Sequence, residues 1–234
     1  MIRHIPHGWT RQRQDYLERQ WDIAEEQNQK TSAPTHARGI VGMCGPAGAG
    51  KDTLCSVLVA YLRKHLFAAH ADYLAKPLYA AVSAMTGIPV EVLQDRRYKD
   101  SPIDWPGAPR GLGSFTPRRL LQLTGHGLVR NHISEYFFID RIKDRAERTF
   151  KEAGKGPAVF FVSDVRYENE SEACDVVVEV VRDGILYAGD HPSALRLPNH
   201  CIDVVVDVTS QPNYPLIAEV ILNKLYLEGS GEQP

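Results

Sequence analysis

The chain has 234 residues, 43% hydrophobic and 24% charged, the make-up of a globular protein with one sizeable core rather than a disordered or fibrous chain. Lys and Arg number 27 against 29 Asp and Glu, a formal net charge of -2, so bulk charge argues against a dedicated nucleic-acid-binding protein. The opening "MIRHIPHGWTRQRQDYLERQ" is too polar for a signal peptide and no apolar run reaches the roughly 18 residues of a membrane span.

Residues 9–30 are rich in Gln, Glu and Arg, with Trp9, Tyr16, Leu17, Trp21 and Ala24 in a loosely helical rhythm that "TSAPTHARG" then breaks. Residues 1–38 therefore read as a helical extension and linker. The helix is either an ordinary surface helix with a partly buried face or one that docks on the main domain or on a second subunit of a homodimer.

From residue 39 the signals alternate. "GIVGMC" is a short strand, a glycine loop follows, and Leu54, Val57, Leu58, Tyr61 and Leu62 recur at helical spacing. "TPRRLLQLTGHGLV" reads as a helix capped by Thr116 with Pro117 just inside, and Gly125 and Gly127 offer a break in it. "YFFIDRIKDRAERTFKEAG" reads as a helix closed by Gly154. "AVFFVSD" and "DVVVEVVRD" are continuous apolar runs of the kind buried parallel strands require; "IDVVVDV" is a further strand and "PLIAEVILNKLYLEG" a last helix. The expected fold is α/β, an open parallel sheet with helices on both faces over residues 39–227, ligands bound beyond the carboxyl ends of the strands, and a flexible tail at 228–234.

Cys44, Cys55, Cys174 and Cys201 sit among apolar neighbours without CxxC spacing, which favours reduced thiols and a cytoplasmic compartment.

The stretch "GPAGAGKDT" places Gly45 and Gly50 around four residues, with Lys51 next, between the strand and the helix. Glycines let the backbone bend around an anion, the helix start adds positive partial charge, and Lys51 can reach outer phosphates. Gly45, Ala47, Gly48, Ala49, Gly50, Lys51, Asp52 and Thr53 would then hold ATP. Asp52 turns outward in the first helical turn, leaving the Thr53 hydroxyl near Mg²⁺. The competing reading is a glycine-rich strand-to-helix turn with no ligand.

Asp164, at the end of "AVFFVSD", either orients water on Mg²⁺ or caps the next helix. Arg166 points at the same cleft or makes a surface ion pair. Arg118 and Arg119 occupy a first helical turn, where cations oppose the helix dipole and an anion nearby would account for them. Arg130 follows if the helix continues, as a further anion ligand or as a solvated charge. Several arginines without an evident base suit a phosphate acceptor, which is largely ionised at neutral pH, its second pKa being about 6.

"GPAGAGKDT", "TPRRLLQLTG" and "VSDVRYENE", in this order and spacing, resemble the deoxynucleoside monophosphate kinases of tailed bacteriophages, over roughly residues 39–227. The resemblance implies a phosphate-loop enzyme that transfers the γ-phosphate of ATP, with Mg²⁺, to a small-molecule deoxynucleoside monophosphate. It makes residues 45–53 the ATP loop, Arg118 and Arg119 the monophosphate ligands, and Arg166 a phosphate ligand after Asp164.

The chain departs from the family at "LAKPLY", with Lys76 and Tyr79 at changed positions, and at "HPSA", with Ala194 after the matching His191 and Ser193. A lid is expected over about residues 183–200, from which Arg182 or Arg196 swings in or stays a solvated charge. Two alternatives stay open. One is a kinase that phosphorylates an alcohol, such as a hydroxymethylated base in DNA, with Asp72 or Asp164 as base. The other is a nucleotide-binding module that transfers no phosphate. The "RRYKD" cluster at 96–100 reads as a solvated loop, with contact to a partner as the alternative.

Overall fold

The computed structural model describes Arg19 and residues 37–103, 115–188 and 191–230. Apart from Arg19, the helix expected over residues 9–30 lies outside the described residues, as do residues 104–114 of the Pro- and Gly-rich stretch and residues 231–234 of the tail. The chain divides into two compact units, one running through Tyr73 and resuming at Ile142, the other comprising Leu74–Arg141.

The first unit is built on a five-stranded, all-parallel sheet in the order β2-β3-β1-β4-β5, with β1 Arg38–Cys44, β2 Ala68–Asp72, β3 Ala158–Val162, β4 Val176–Val181 and β5 Val204–Asp207. The three inner strands, β3, β1 and β4, are the ones whose sequences are apolar without alternation, because both their faces are covered. The edge strands β2 and β5 are only partly buried. "AVFFVSD" and "DVVVEVVRD" are both buried parallel strands, and β1 lies between them.

Val41, Met43, Val159, Phe161, Val178 and Val180 share one core with the apolar faces of helices α1 (Lys51–Lys64) and α8 (Tyr214–Ser230). Alternate residues point the other way, and Ile40 there shares a recess with Ala146 and Phe150 of α6 (Phe137–Ala153). Helices thus lie against both faces, as an apolar two-sided sheet requires. Helix α6 stops where expected: Gly154 takes φ 60°, and Arg38 donates to the terminal carbonyls of Phe150 (2.6 Å) and Gly154 (2.7 Å). Helix α8 continues to Ser230, past residue 227 where the folded domain was expected to end. No helix among the described residues is long and apolar enough to cross a membrane.

The second unit holds helices α2 (Lys76–Thr86), α3 (Val90–Gln94), α4 (Arg96–Lys99) and α5 (Pro117–Gln122) around Val82, Ile88, Leu93, Ile103 and Leu121. Thr116 caps α5 as expected, its hydroxyl accepting from the Arg119 amide at 3.1 Å. The helix does not break at Gly125 or Gly127; it widens into a π-helical turn over Leu123–Ile133. Gly125 is pressed on Leu78, whose Cδ2 would stand 2.8 Å from any added Cβ, so the glycine serves packing rather than termination.

Phe161 is 1% exposed at the centre of the larger core. Phe161→Ala is expected to lower the unfolding free energy by about 3–5 kcal/mol, measured as a fall in urea midpoint at unchanged slope.

Candidate functional site

In this strand order the chain leaves β1 toward β2 on one side, while β4 flanks β1 on the other, which opens a crevice at the carboxyl end of β1. The parallel register pairs Gly42 with Val162 and Cys44 with Glu179, and the Val165 amide still bonds the Met43 carbonyl at 3.1 Å. Asp164, Cys44 and Glu179 therefore stand level along one edge.

The chain leaves β1 through Gly45, at φ 132°, so close to β4 that an added Cβ would lie 2.3 Å from the Val180 carbonyl oxygen. Only glycine satisfies both the conformation and the contact. Gly48 (φ 98°) and Gly50 (φ 106°) complete the loop, and the Ala49 amide bonds the Pro46 carbonyl at 3.2 Å. Gly50 opens α1 without any side-chain cap, and the first bond inside the helix runs from Leu54 to Gly50. The helix thus presents its positive end to the loop.

Lys51 folds back over this loop, its Nζ donating to the carbonyls of Gly45 (2.7 Å) and Pro46 (2.9 Å). An ammonium has three donors, so one is left for a ligand. Burial and then the nearby Arg166 guanidinium lower the Lys51 pKa, with the charges of Asp52 and Asp164 acting against them. Asp52 is exposed, as expected, and Ala47 lies at the exposed crest of the loop. Thr53 is half-buried and borders a cleft of about 440 Å³ that Gly50, Arg182, Val208, Thr209 and Gln211 also line.

Asp164 is half-buried, and it does not cap the helix that follows. That helix, α7 (Glu168–Ser171), takes Tyr167 as its N-cap, and the Glu170 carboxylate accepts from the amides of Arg166 (2.7 Å) and Tyr167 (3.1 Å). Arg166 is exposed and donates to the Ser193 carbonyl at 3.4 Å.

Sequence reasoning missed Glu179. It is the one charged residue in "VVVEVV", 2% exposed, and that isolated acid in an apolar strand is the signal that could have found it. Arg196 clasps it with two bonds, Nε to Oε1 at 2.7 Å and Nη2 to Oε2 at 2.6 Å, and Tyr187 donates to Oε1 at 2.9 Å. Arg196 is therefore no solvated loop charge. It ties the segment 183–200 to the sheet beside the glycine loop. The Arg196 hydrogen bonds, and then that of Tyr187, hold the Glu179 carboxyl below its usual pKa. Burial and the Glu179 charge push the Cys44 thiol up to about 12, so Cys44 is no nucleophile at neutral pH.

Arg118, Arg119 and Arg130 belong to the second unit. Arg118 pairs with Asp100 through Nε (2.5 Å) and Nη2 (3.0 Å), both side chains being well exposed. Arg119 is exposed. Arg130 donates to the Glu135 carbonyl at 3.3 Å and lies 5.8 Å over the Phe138 ring. The "RRYKD" stretch is helical over α4 rather than a loop, capped by Asp95 and closed by Asp100. At the changed "LAKPLY" segment, Tyr79 accepts from Lys99 at 2.8 Å. Asp72, at the end of β2, is buried and bound by Arg145, whose Nε lies 2.9 Å from its carboxylate.

The clasp on Glu179 makes an asymmetric prediction. Arg196→Ala leaves a buried carboxylate with Tyr187 as its donor and should cost about 3 kcal/mol, whereas Glu179→Gln leaves an arginine that is 43% exposed and able to hydrate, and should cost less. Because the folded pKa of Glu179 is lowered, the stabilisation is present above the unfolded value near 4.5 and is lost as pH falls through the folded value. Denaturant unfolding of both variants between pH 3 and 7 checks both statements. No protein family matches the chain, and no curated protein matches it.

Proposed function

We propose that the chain is a deoxynucleoside monophosphate kinase of the phosphate-loop type, transferring the γ-phosphate of ATP to a deoxynucleoside monophosphate. One observation carries this reading: Lys51, its pKa lowered by burial and then by the nearby Arg166 guanidinium, folds over an uncapped, glycine-lined helix N-terminus, and an anion bound there would favour its charged form. The adjoining cleft supports a nucleoside for that anion, because its volume lies in the range of small-molecule sites. Arg182 offers it a planar cation, and Thr209 and Gln211 offer neutral hydrogen-bonding groups.

Thr53 and Asp164 are hard oxygen donors of the kind Mg²⁺ takes together with phosphate oxygens and water, and the charge of Asp164 reaches Lys51, so these residues fit the ion. When bound, Mg²⁺ neutralises charge on the transferring phosphate. The loop amides and Lys51 hold the β- and γ-phosphates, and Arg166 faces charge that develops in flight. An acceptor phosphate oxygen bonds to the γ-phosphorus as the bond to the β-phosphate oxygen breaks, and ADP leaves with that electron pair. No base is needed. Arg118 and Arg119 take the acceptor phosphate, with Arg130 as a further ligand. Giving up the exposed Asp100 pair costs Arg118 at most about 1 kcal/mol, which a charge-assisted bond to phosphate offsets.

For an alcohol acceptor a carboxylate base is required, and the engagement of Asp72 by Arg145 leaves Asp164 as its candidate. Labelled ATP offered with deoxynucleoside monophosphates, nucleosides and hydroxymethylated DNA separates the readings by which product is labelled. Slow hydrolysis with no labelled acceptor would sink both transfer readings.

Arg119→Ala is expected to lower kcat/KM for the monophosphate by on the order of 100-fold with ATP affinity near normal. Lys51→Met should weaken ATP binding itself. Unchanged turnover in Arg119→Ala removes that residue from the acceptor site.

A further inference from the structure

Glu168, His200 and Cys201 bring a carboxylate oxygen, an imidazole nitrogen and a thiol sulfur within 4.8 Å of one another, and none of them takes part in the site described above. Glu168 opens α7, just beyond β3, while His200 and Cys201 end a short 3₁₀ turn, Asn199–Cys201, that leads into β5. His200 Nε2 lies 2.7 Å from Glu168 Oε1.

Both supports are held by backbone bonds. In the turn, the Cys201 amide bonds the Pro198 carbonyl at 3.0 Å and the Ile202 amide bonds the Asn199 carbonyl at 3.2 Å. In α7, the Ser171 hydroxyl bonds the Glu168 carbonyl at 2.6 Å. Asn199 also accepts from Arg196, the residue that clasps Glu179.

We propose that Glu168, His200 and Cys201 form a binding site for a Zn²⁺-class transition-metal ion, with water in the fourth position. The donor types decide the class. A nitrogen and a sulfur ligand select zinc and its neighbours over the hard cations Mg²⁺ and Ca²⁺, which take oxygen.

The spacing suits it as well. Metal–ligand bonds of about 2.0–2.3 Å in a tetrahedron set ligand atoms roughly 3.3–3.8 Å apart, so the His200–Glu168 hydrogen bond opens slightly and the thiol closes in. That hydrogen bond joins two exposed side chains, so exchanging it for metal ligation loses little. Cys201 is only half-buried, so the ion has access to its sulfur, and its thiol proton passes to solvent on binding. The bound ion would bridge α7, after the Asp164 edge, to the end of the segment 183–200 and stiffen both.

The full chain titrated with Co²⁺, without nucleotide, tests this. A thiolate-to-cobalt charge-transfer band in the near ultraviolet should saturate at one equivalent and disappear when Zn²⁺ is added in excess. It should be absent in Cys201→Ser. His200→Ala and Glu168→Gln should each weaken affinity at least about tenfold, the smallest loss that even an outer-shell partner causes, with unchanged circular dichroism. No such band, a band that persists in Cys201→Ser, or equal affinity in all variants overturns the proposal. Neither result bears on the kinase reading, since the test involves no nucleotide.

Discussion

The passage of the chain from β1 into α1 is constrained more tightly than any other point of the described structure. β1 is hydrogen-bonded on both edges and covered on both faces, and the residue that follows it, Gly45, meets the carbonyl of Val180 with no room for a side chain. Gly45 is what permits the exit, and Gly48 and Gly50 carry the same left-handed backbone round to the start of a helix that has no side-chain cap. The sheet, the loop and the positive end of α1 are therefore one device. A change that widens the β1–β4 contact would misplace the loop amides and Lys51 proposed to meet phosphate.

Charge at this edge is arranged in two layers. The outer layer is cationic, with Lys51 on the loop carbonyls and Arg166 near it. Beneath it sits a buried carboxylate, Glu179, level with Cys44, its charge paired with Arg196 and its Oε1 hydrogen-bonded by Tyr187. Because its partner comes from the segment 183–200, that segment is anchored in the sheet rather than hanging from it. In the proposed kinase, closure over the nucleotide would start from this anchored position, and Arg182, on the cleft wall beside Gly50, would serve there.

The arginines proposed for the acceptor pose a different problem. The second unit is built from helices around a small core, and among its described residues α5 continues directly into the π-helical stretch Leu123–Ile133. Arg118 and Arg119 lie in the first turn of α5, opposing the helix dipole, and Asp100 partly offsets the cost for Arg118. Arg118, whose side chain meets Asp100 in an exposed contact, is suited to exchanging that partner for a phosphate.

The amino-acid sequence by itself determined four of the five strands and the main helices of the first unit, but not β2, whose "AAHAD" carries no apolar run. Uninterrupted β-branched runs leave a buried parallel strand as their simplest outcome, and Thr116, Pro117 and Gly154 mark helix ends by local backbone chemistry. It also marked the glycine loop, since positive φ and close approach both demand glycine at fixed spacing. Tertiary structure alone decided which strands are neighbours, with β1 between "AVFFV" and "VVVEVV", because pairing depends on which apolar faces meet and not on the residues of either strand. It decided likewise that Gly125 packs rather than breaks a helix, that Asp72 is bound by Arg145, and that Arg196 reaches Glu179. Each of those contacts joins residues far apart in the chain, and no local pattern encodes the partner of a charge.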